Sequence, residues 1–409
     1  MLPWTRPARF AIECVTEKPT TQVVTTMLKR GDEESTLTVR PVTGLRDKHR
    51  FIRFPRELYA DDPNYRPQLD VMVWETMTPS RNAWFEHGEA QFFLAERDGE
   101  IVGRISAQVD REHLRCHDDG AGFFGFFEVE DDPEAARSLL KVAEDWCRRR
   151  GMERIRGPFS LSINEECGLL VEGFDYPNYV MMPHGRPYYQ DLVEGSGFEG
   201  VQEIYAWRFE REELPERVRF LVDDPEEIDG LEIRSLDLDN IHRDVGIIMD
   251  VFNDAWSDNW GYVPLTEAEI AQVAEEFKLI ADEDLCMIAE YEGEPAAIAM
   301  ALPNINEAMR DLDGRLFPLG WAKLLYRLKV DPVRSFRLIL LGIKEEYRGT
   351  ALGALSVQLY AEIHDRAYEA GYQEAEAGWT LADNDAINDG MEFMGAEAYK
   401  TYRIYEKAL

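Results

Sequence analysis

The chain has 409 residues, 45% of them hydrophobic, with 45 Lys and Arg against 79 Asp and Glu and a formal net charge of −34. That length suits two or three domains, each able to bury a core. Such a charge disfavours nucleic acid, whose binding rests on neutralising phosphates, and no apolar run approaches the ~20 residues of a membrane span.

In chain order, residues 1–35 show neither helical nor strand period and no signal-peptide core, so a poorly ordered leader is expected. Residues 94–107, LAERDGEIVGRISA, read as a β-hairpin turning at Gly99. His113, Cys116 and His117 are metal-ligand types, but no second pair follows, so a polar turn without metal is expected. The strand at 123–127 runs into Glu128-Val129-Glu130-Asp131-Asp132-Pro133. Its four carboxylates exclude an anion, since unit charges ~4 Å apart repel by ~4 kcal/mol at an effective dielectric near 20. Asp131 or Asp132 suits the N-cap of the amphipathic helix that Gly151 closes. Residues 158–189 form a long stretch punctuated by Pro and Gly. Asn164, Glu165, Glu166, His184, Tyr188 and Tyr189 are its candidates for an acceptor pocket, with a packed irregular loop as the plain alternative. The scattered cysteines, five in number and without a CxxC pair, read as reduced thiols in a cytoplasmic protein.

The second half echoes the first in the same order, which implies a duplication. Residues 288–301, IAEYEGEPAAIAMA, repeat the hairpin. A helix closed by Gly371 and a strand over 373–380 repeat the pair after Gly151, and Gly395 leads into a last strand as Gly197 does. The expected division is 1–35, leader; 36–211, first domain; 212–230, linker; 231–409, second domain. The insertion before the strand at 338–343 is rich in Leu, Phe and Trp and is expected to cover the site or pack between the halves. That strand leads into Arg348-Gly349-Thr350-Ala351-Leu352-Gly353 and a helix. A strand, a Gly-containing loop and a helix start make an anion site, through unpaired N–H groups and the helix dipole.

The pattern of Arg348 and Gly353, with Ala351 where a central Gly is usual, resembles the acyl-CoA signature of the GNAT (GCN5-related N-acetyltransferase) superfamily. The order of elements in each half resembles that fold, so the chain is read as an α/β protein with a mixed sheet and two tandem GNAT-like folds, the first copy degenerate. The resemblance implies an N-acyltransferase with acetyl-CoA or another acyl-CoA as co-substrate and no metal. The acyl group moves to a small-molecule or peptide amine by direct attack. Leu341, Gly342, Ile343, Arg348, Gly349, Thr350, Ala351, Leu352, Gly353 and Asn384 are then the cofactor-binding candidates. Asn384 is alternatively only a helix N-cap. Many family members use a Tyr acid where Met391 stands. Glu345, Glu376 and Tyr402 are the catalytic candidates, and Asn164, Glu165, His184, Tyr189 and Trp379 the acceptor-binding ones. A core role for Tyr399, Tyr402 and Tyr405 is the competing reading. A non-catalytic acyl-CoA sensor and an aminoacyl-tRNA-dependent transferase of the FemX type remain as rivals, the second opposed by the charge. A homodimer is possible, and no membrane partner is expected.

Overall fold

The computed structural model describes residues 24–30, 33–210, 213–222, 228–331, 333–348 and 355–409. The first copy runs β1 (Val24–Arg30), β2 (Glu33–Pro41), α1 (Gly44–Leu58), α2 (Asp70–Thr76), β3 (Gly88–Arg97), β4 (Glu100–Asp110), α3 (Arg111–His117), β5 (Ala121–Val129), α4 (Pro133–Arg149), β6 (Arg154–Gly157), β7 (Leu169–Glu172), α5 (Tyr189–Glu194) and β8 (Glu199–Glu210). After α6 (Glu216–Val222), the second runs β9 (Leu231–Ser235), α7 (Ile241–Trp256), α8 (Glu267–Ile280), β10 (Cys286–Tyr291), β11 (Glu294–Pro303), α9 (Ile305–Met309), α10 (Gly320–Lys329), β12 (Ser335–Ile343), α11 (Leu355–Ala370), β13 (Glu374–Leu381), α12 (Asp385–Met394) and β14 (Glu397–Ala408).

Local chemistry explains the repeated parts. Both hairpins turn on two residues of positive φ, Asp98-Gly99 and Glu292-Gly293, which is the backbone that matches strand twist. Helix α4 starts on Asp132, whose carboxylate accepts from Glu134 and Ala135 N–H, with Pro133 in its first turn. Ala136, Leu139, Leu140 and Ala143 then place one apolar stripe against the sheet. Two sequence expectations are corrected here. Residues 24–30 form an edge strand paired antiparallel to β2 within the supposed leader, and the stretch from 111 to 117 is a helix capped by Asp110, not a turn.

The strands join in the order β1-β2-β3-β4-β5-β6-β14-β8-β13-β12-β11-β10-β9. The two copies therefore trade their last strands. β8 pairs with β13 of the second copy, and β14 pairs with β6 of the first and with β8. Inside each copy one parallel pair opens into a V. β5 and β6 stay paired only through Phe123↔Arg156, and β12 and β13 only through Leu338↔Ala377. A register shift against the next strand lies near each opening. Apolar cores lie on α4 in the first copy and on α11 in the second, and a third cluster at the junction joins Phe159, Tyr179 and Met182 to Ile204, Leu381 and Tyr402. No described helix is long and apolar enough to cross a membrane.

Candidate active site

The V of the second copy is bounded by the end of β12. Gly342 is required there by space: a Cβ would stand 2.3 Å from the Trp256 ring at the end of α7. Leu341 and Ile343 flank it, both half-buried. Arg348 does not stand free. Its Nε donates to the Ile343 carbonyl (3.0 Å) and its Nη2 to that of Ala255 (2.8 Å), so it clasps β12 to the C-terminal end of α7. Glu345 is exposed beside this clasp and uses its backbone N–H on Asp254. Gly349, Thr350, Ala351, Leu352 and Gly353 lie outside the described residues. Asn384 is the N-cap of α12, its side chain accepting from the Ile387 N–H, and Met391 packs against the core below.

At the point where β12 and β13 part lies a buried ion pair. Arg337 Nε stands 3.0 Å from Glu376 Oε1, with the side chains 4% and 1% exposed. Arg337 also donates to the carbonyls of Val180 and Gly378, and Tyr399 donates to Glu376. Glu376 is thus committed to holding the junction and has no oxygen open to an acceptor, which corrects its reading as a base. Tyr402 is corrected likewise. It is fully buried in the junction cluster, and burial holds its hydroxyl proton far above the ordinary phenol range. Trp379 packs on the same cluster. Lys400, not singled out from sequence, is buried nearby and donates to the Pro177 carbonyl; burial pulls its pKa down to about 8, against the pull of Glu376. Under α11, a shallow apolar cleft open to solvent reaches Leu338 and Ala377, the last paired residues of the V.

The first copy opens differently. Asp132 occupies the N-terminus of α4 and is itself paired with Arg97, so a protein carboxylate already takes the first free N–H groups of that helix. Deeper in the V lies a polar cleft, walled by Arg56, Gln68, Arg104, Glu128, Glu166 and His184 among others. Glu128 turns inward and accepts from Tyr189 (2.6 Å) and Tyr59 hydroxyls. Burial pushes its carboxyl upward, and Arg104 and the two phenols oppose the rise. Tyr189 therefore stands behind Glu128 and does not wall the cleft. His184 does. Its side chain is 2% exposed, its Nε2 lies 3.0 Å from Asp62 Oδ2, and its Nδ1 has no hydrogen-bond partner among the described residues. Asp62 also accepts from the Asn64 N–H (2.8 Å) and is held below the usual carboxylate range; burial opposes that shift, and the bonds to His184 and Asn64 outweigh it. Burial lowers the His184 pKa. The ring is thus neutral, with its proton on Nε2 facing Asp62 and a lone pair on Nδ1, an assignment made from the contacts. A neutral imidazole oriented by a carboxylate is the arrangement of a general base.

Asn164 and Glu165 sit apart from this wall. Asn164 ties the loop to the Val263 carbonyl. Glu165 is exposed although protein crowds around it; the crowding, then Glu276, Glu166 and Glu269, push its carboxyl upward, and its access to water limits the rise. The loop over 158–189 connects the two openings. Asn178 walls the cleft, and two residues on, Val180 accepts from Arg337 where β12 and β13 separate. Among the described residues, no group of three or more His, Cys, Asp or Glu is placed to hold a metal.

A bacterial ceramide synthase from Caulobacter vibrioides (strain NA1000 / CB15N) is 42% identical over 378 residues, covering 91% of this chain and 98% of that protein. Protein YghO of Escherichia coli K12 is 39% identical over 374 residues, covering 91% and 95%. The chain belongs to the family of the bacterial ceramide synthase. A tandem GNAT protein from the clavulanic acid biosynthesis pathway matches with a TM-score of 0.57 at 12% identity, covering 91% of this chain and 98% of that one, which shows the fold. No protein-family model matches the chain. Fold and family together make the chain an enzyme, an N-acyltransferase of the GNAT type.

Proposed function

We propose that the enzyme moves a long acyl chain from coenzyme A to the amine of a sphingoid base, giving a ceramide. One observation carries the chemistry: His184, buried and oriented by Asp62, is part of the wall of a polar cleft and keeps an Nδ1 without a hydrogen-bond partner among the described residues. The relative named a ceramide synthase supports the substrate class. The amine head enters this cleft, where the inward carboxylates Glu128 and Glu166 suit an ammonium group. His184 takes one proton from the ammonium. The neutral nitrogen attacks the thioester carbonyl carbon, the C–N bond forms, the C–S bond breaks, and the second proton that the nitrogen sheds on becoming an amide goes to the departing thiolate. Holding both reactants in place supplies much of the acceleration.

The thioester is assigned to the V between β12 and β13, with a backbone N–H near Gly342 or Ile343 for the developing oxyanion. The loop that brings Asn178 to the cleft wall also brings the Val180 carbonyl to Arg337, which supports a cleft that meets the apex of that V. The apolar lining of the cleft under α11 supports placing the acyl tail along it. The test is thiol release and product mass with long-chain acyl-CoA and a sphingoid base. Wild-type protein that releases no CoA above the rate without amine overturns the reading, as does a His184→Ala variant with undiminished release.

A further inference from the structure

Large apolar side chains exposed to solvent concentrate on one segment. In α10 and the turn before it, Phe317, Leu319, Trp321, Leu325, Tyr326 and Val330 are exposed, Phe317 by 80%. The insertion was expected to cover the site or pack between the copies. Leu312, Leu316 and Leu324 do pack, against Leu69, Val180 and Ile305, and Phe317, Leu319, Trp321, Leu325, Tyr326 and Val330 turn outward. A patch of this kind on a soluble surface marks an interaction site.

Charge says with what. Residues 310–334 carry six cations against the carboxylates of Asp311, Asp313 and Asp331, in a chain of net charge −34. Lys323 and Arg327 share Asp311, and Arg315 faces Asp313, so the segment keeps a cationic surplus. Apolar and amphipathic aromatic side chains beside cations are the composition of an element that lies at a bilayer interface. The remaining negative charge acts weakly there, since the Debye length is about 8 Å at physiological salt.

Position gives the reason. The Asp313 carbonyl accepts from Arg56, which walls the polar cleft. The Gly314 carbonyl accepts from the first N–H of α2, whose Val71 and Met72 are exposed beside it. The apolar face thus borders the cleft.

We infer that this face docks on an anionic phospholipid bilayer, against the sequence expectation of no membrane partner, and that the cleft takes its amine from that surface. The second clause rests on the proposed reaction; the docking does not. A second copy fits the face less well, because a two-fold contact sets the cationic surplus against itself.

The test is flotation of the full chain with vesicles of phosphatidylcholine, alone and mixed with phosphatidylglycerol, with Trp321→Glu, Leu325→Glu and the control Leu279→Glu, an exposed leucine on α8. Circular dichroism checks the fold of each variant. Wild-type protein floats with the mixed vesicles, less so at high salt. Trp321→Glu and Leu325→Glu reduce the bound fraction about tenfold and Leu279→Glu leaves it unchanged. Three results overturn the inference: no flotation of wild-type protein with mixed vesicles, an equal loss in Leu279→Glu, or a solution dimer that Leu325→Glu dissociates. Leu325→Glu also keeps its CoA release with detergent-dispersed amine. Wild-type protein that floats but releases no CoA supports the docking and sinks the transfer reading alone.

Discussion

Replacing His184 tests the chemistry most directly. His184→Ala removes the unpaired Nδ1 and leaves Asp62 with its bond to Asn64 and a 3.9 Å approach from Arg186. Asp62→Asn is the subtler change. It keeps the ring, but an amide NH₂ facing Nε2 moves the imidazole proton to Nδ1, so the unpaired nitrogen becomes a donor. A positioned base supplies about 10²–10⁴ in rate, or about 3–5 kcal/mol of barrier at 1.36 kcal/mol per decade. Both variants should lose kcat by that range, with CoA release followed from pH 5 to 9. Burial depresses the His184 pKa below its ordinary 6.5, so the base stays neutral through pH 7, and the acid limb of kcat/KM should fall below the usual histidine range. In stability the sign is the same: the unfolded chain takes the proton first, so folding weakens as pH drops below about 6.5. Added imidazole should restore part of the rate of His184→Ala and none to Asp62→Asn. A loss below about threefold in His184→Ala, or an acid limb at or above pH 6.5, refutes the assignment.

Three further expectations follow from other contacts. In Gly125→Ala the new Cβ would stand 1.6 Å from the Phe159 carbonyl oxygen, so the cleft loop must lift and lose its bonds from Gln108 and to the Phe124 carbonyl. About 2–4 kcal/mol of stability should go, read in urea melts, along with most activity; an unchanged midpoint contradicts the close approach. His87 bridges Asp110 (3.0 Å) and Glu269 on α8 (3.2 Å). Burial lowers its pKa, but bonds to both carboxylates overcome this and raise it to about 10. Its stabilisation is therefore complete below pH 6.5 and fades as pH rises toward 10, on the order of 2 kcal/mol. Wild-type protein should lose that much more stability over this window than His87→Ala, and parallel melting curves would exclude the bridge. Ala367→Phe narrows the apolar cleft and should cut kcat/KM for long acyl-CoA about tenfold against acetyl-CoA, at about 1–3 kcal/mol of packing strain. A constant ratio would place the tail elsewhere.

Much of the framework was legible because local rules govern it. The Asp-Gly and Glu-Gly steps announce their hairpins through the positive φ they tolerate, and Asp132-Pro133 announces the start of α4. The carboxylate-rich turn after β5 reads correctly as the start of a helix, with Asp132 as its N-cap. The partners of long-range groups were not legible. Asp62 and His184 stand 122 positions apart with no motif between them. Arg348 shows its charge in the sequence but not that two carbonyls already hold it. Glu376 looks like any strand carboxylate until Arg337 is seen opposite it. Periodicity gives the order of strands and not their neighbours, so the trade between β8 and β14 was hidden.

That trade has a folding consequence. With each copy's closing strand laid in the other, neither half can complete its hydrogen-bond ladder until both exist, and the separation in sequence makes these pairings late. A half expressed alone would present a raw edge and stick to its own kind. Either half alone lacks a sheet neighbour that the other supplies, which gives both copies a reason to stay in one chain.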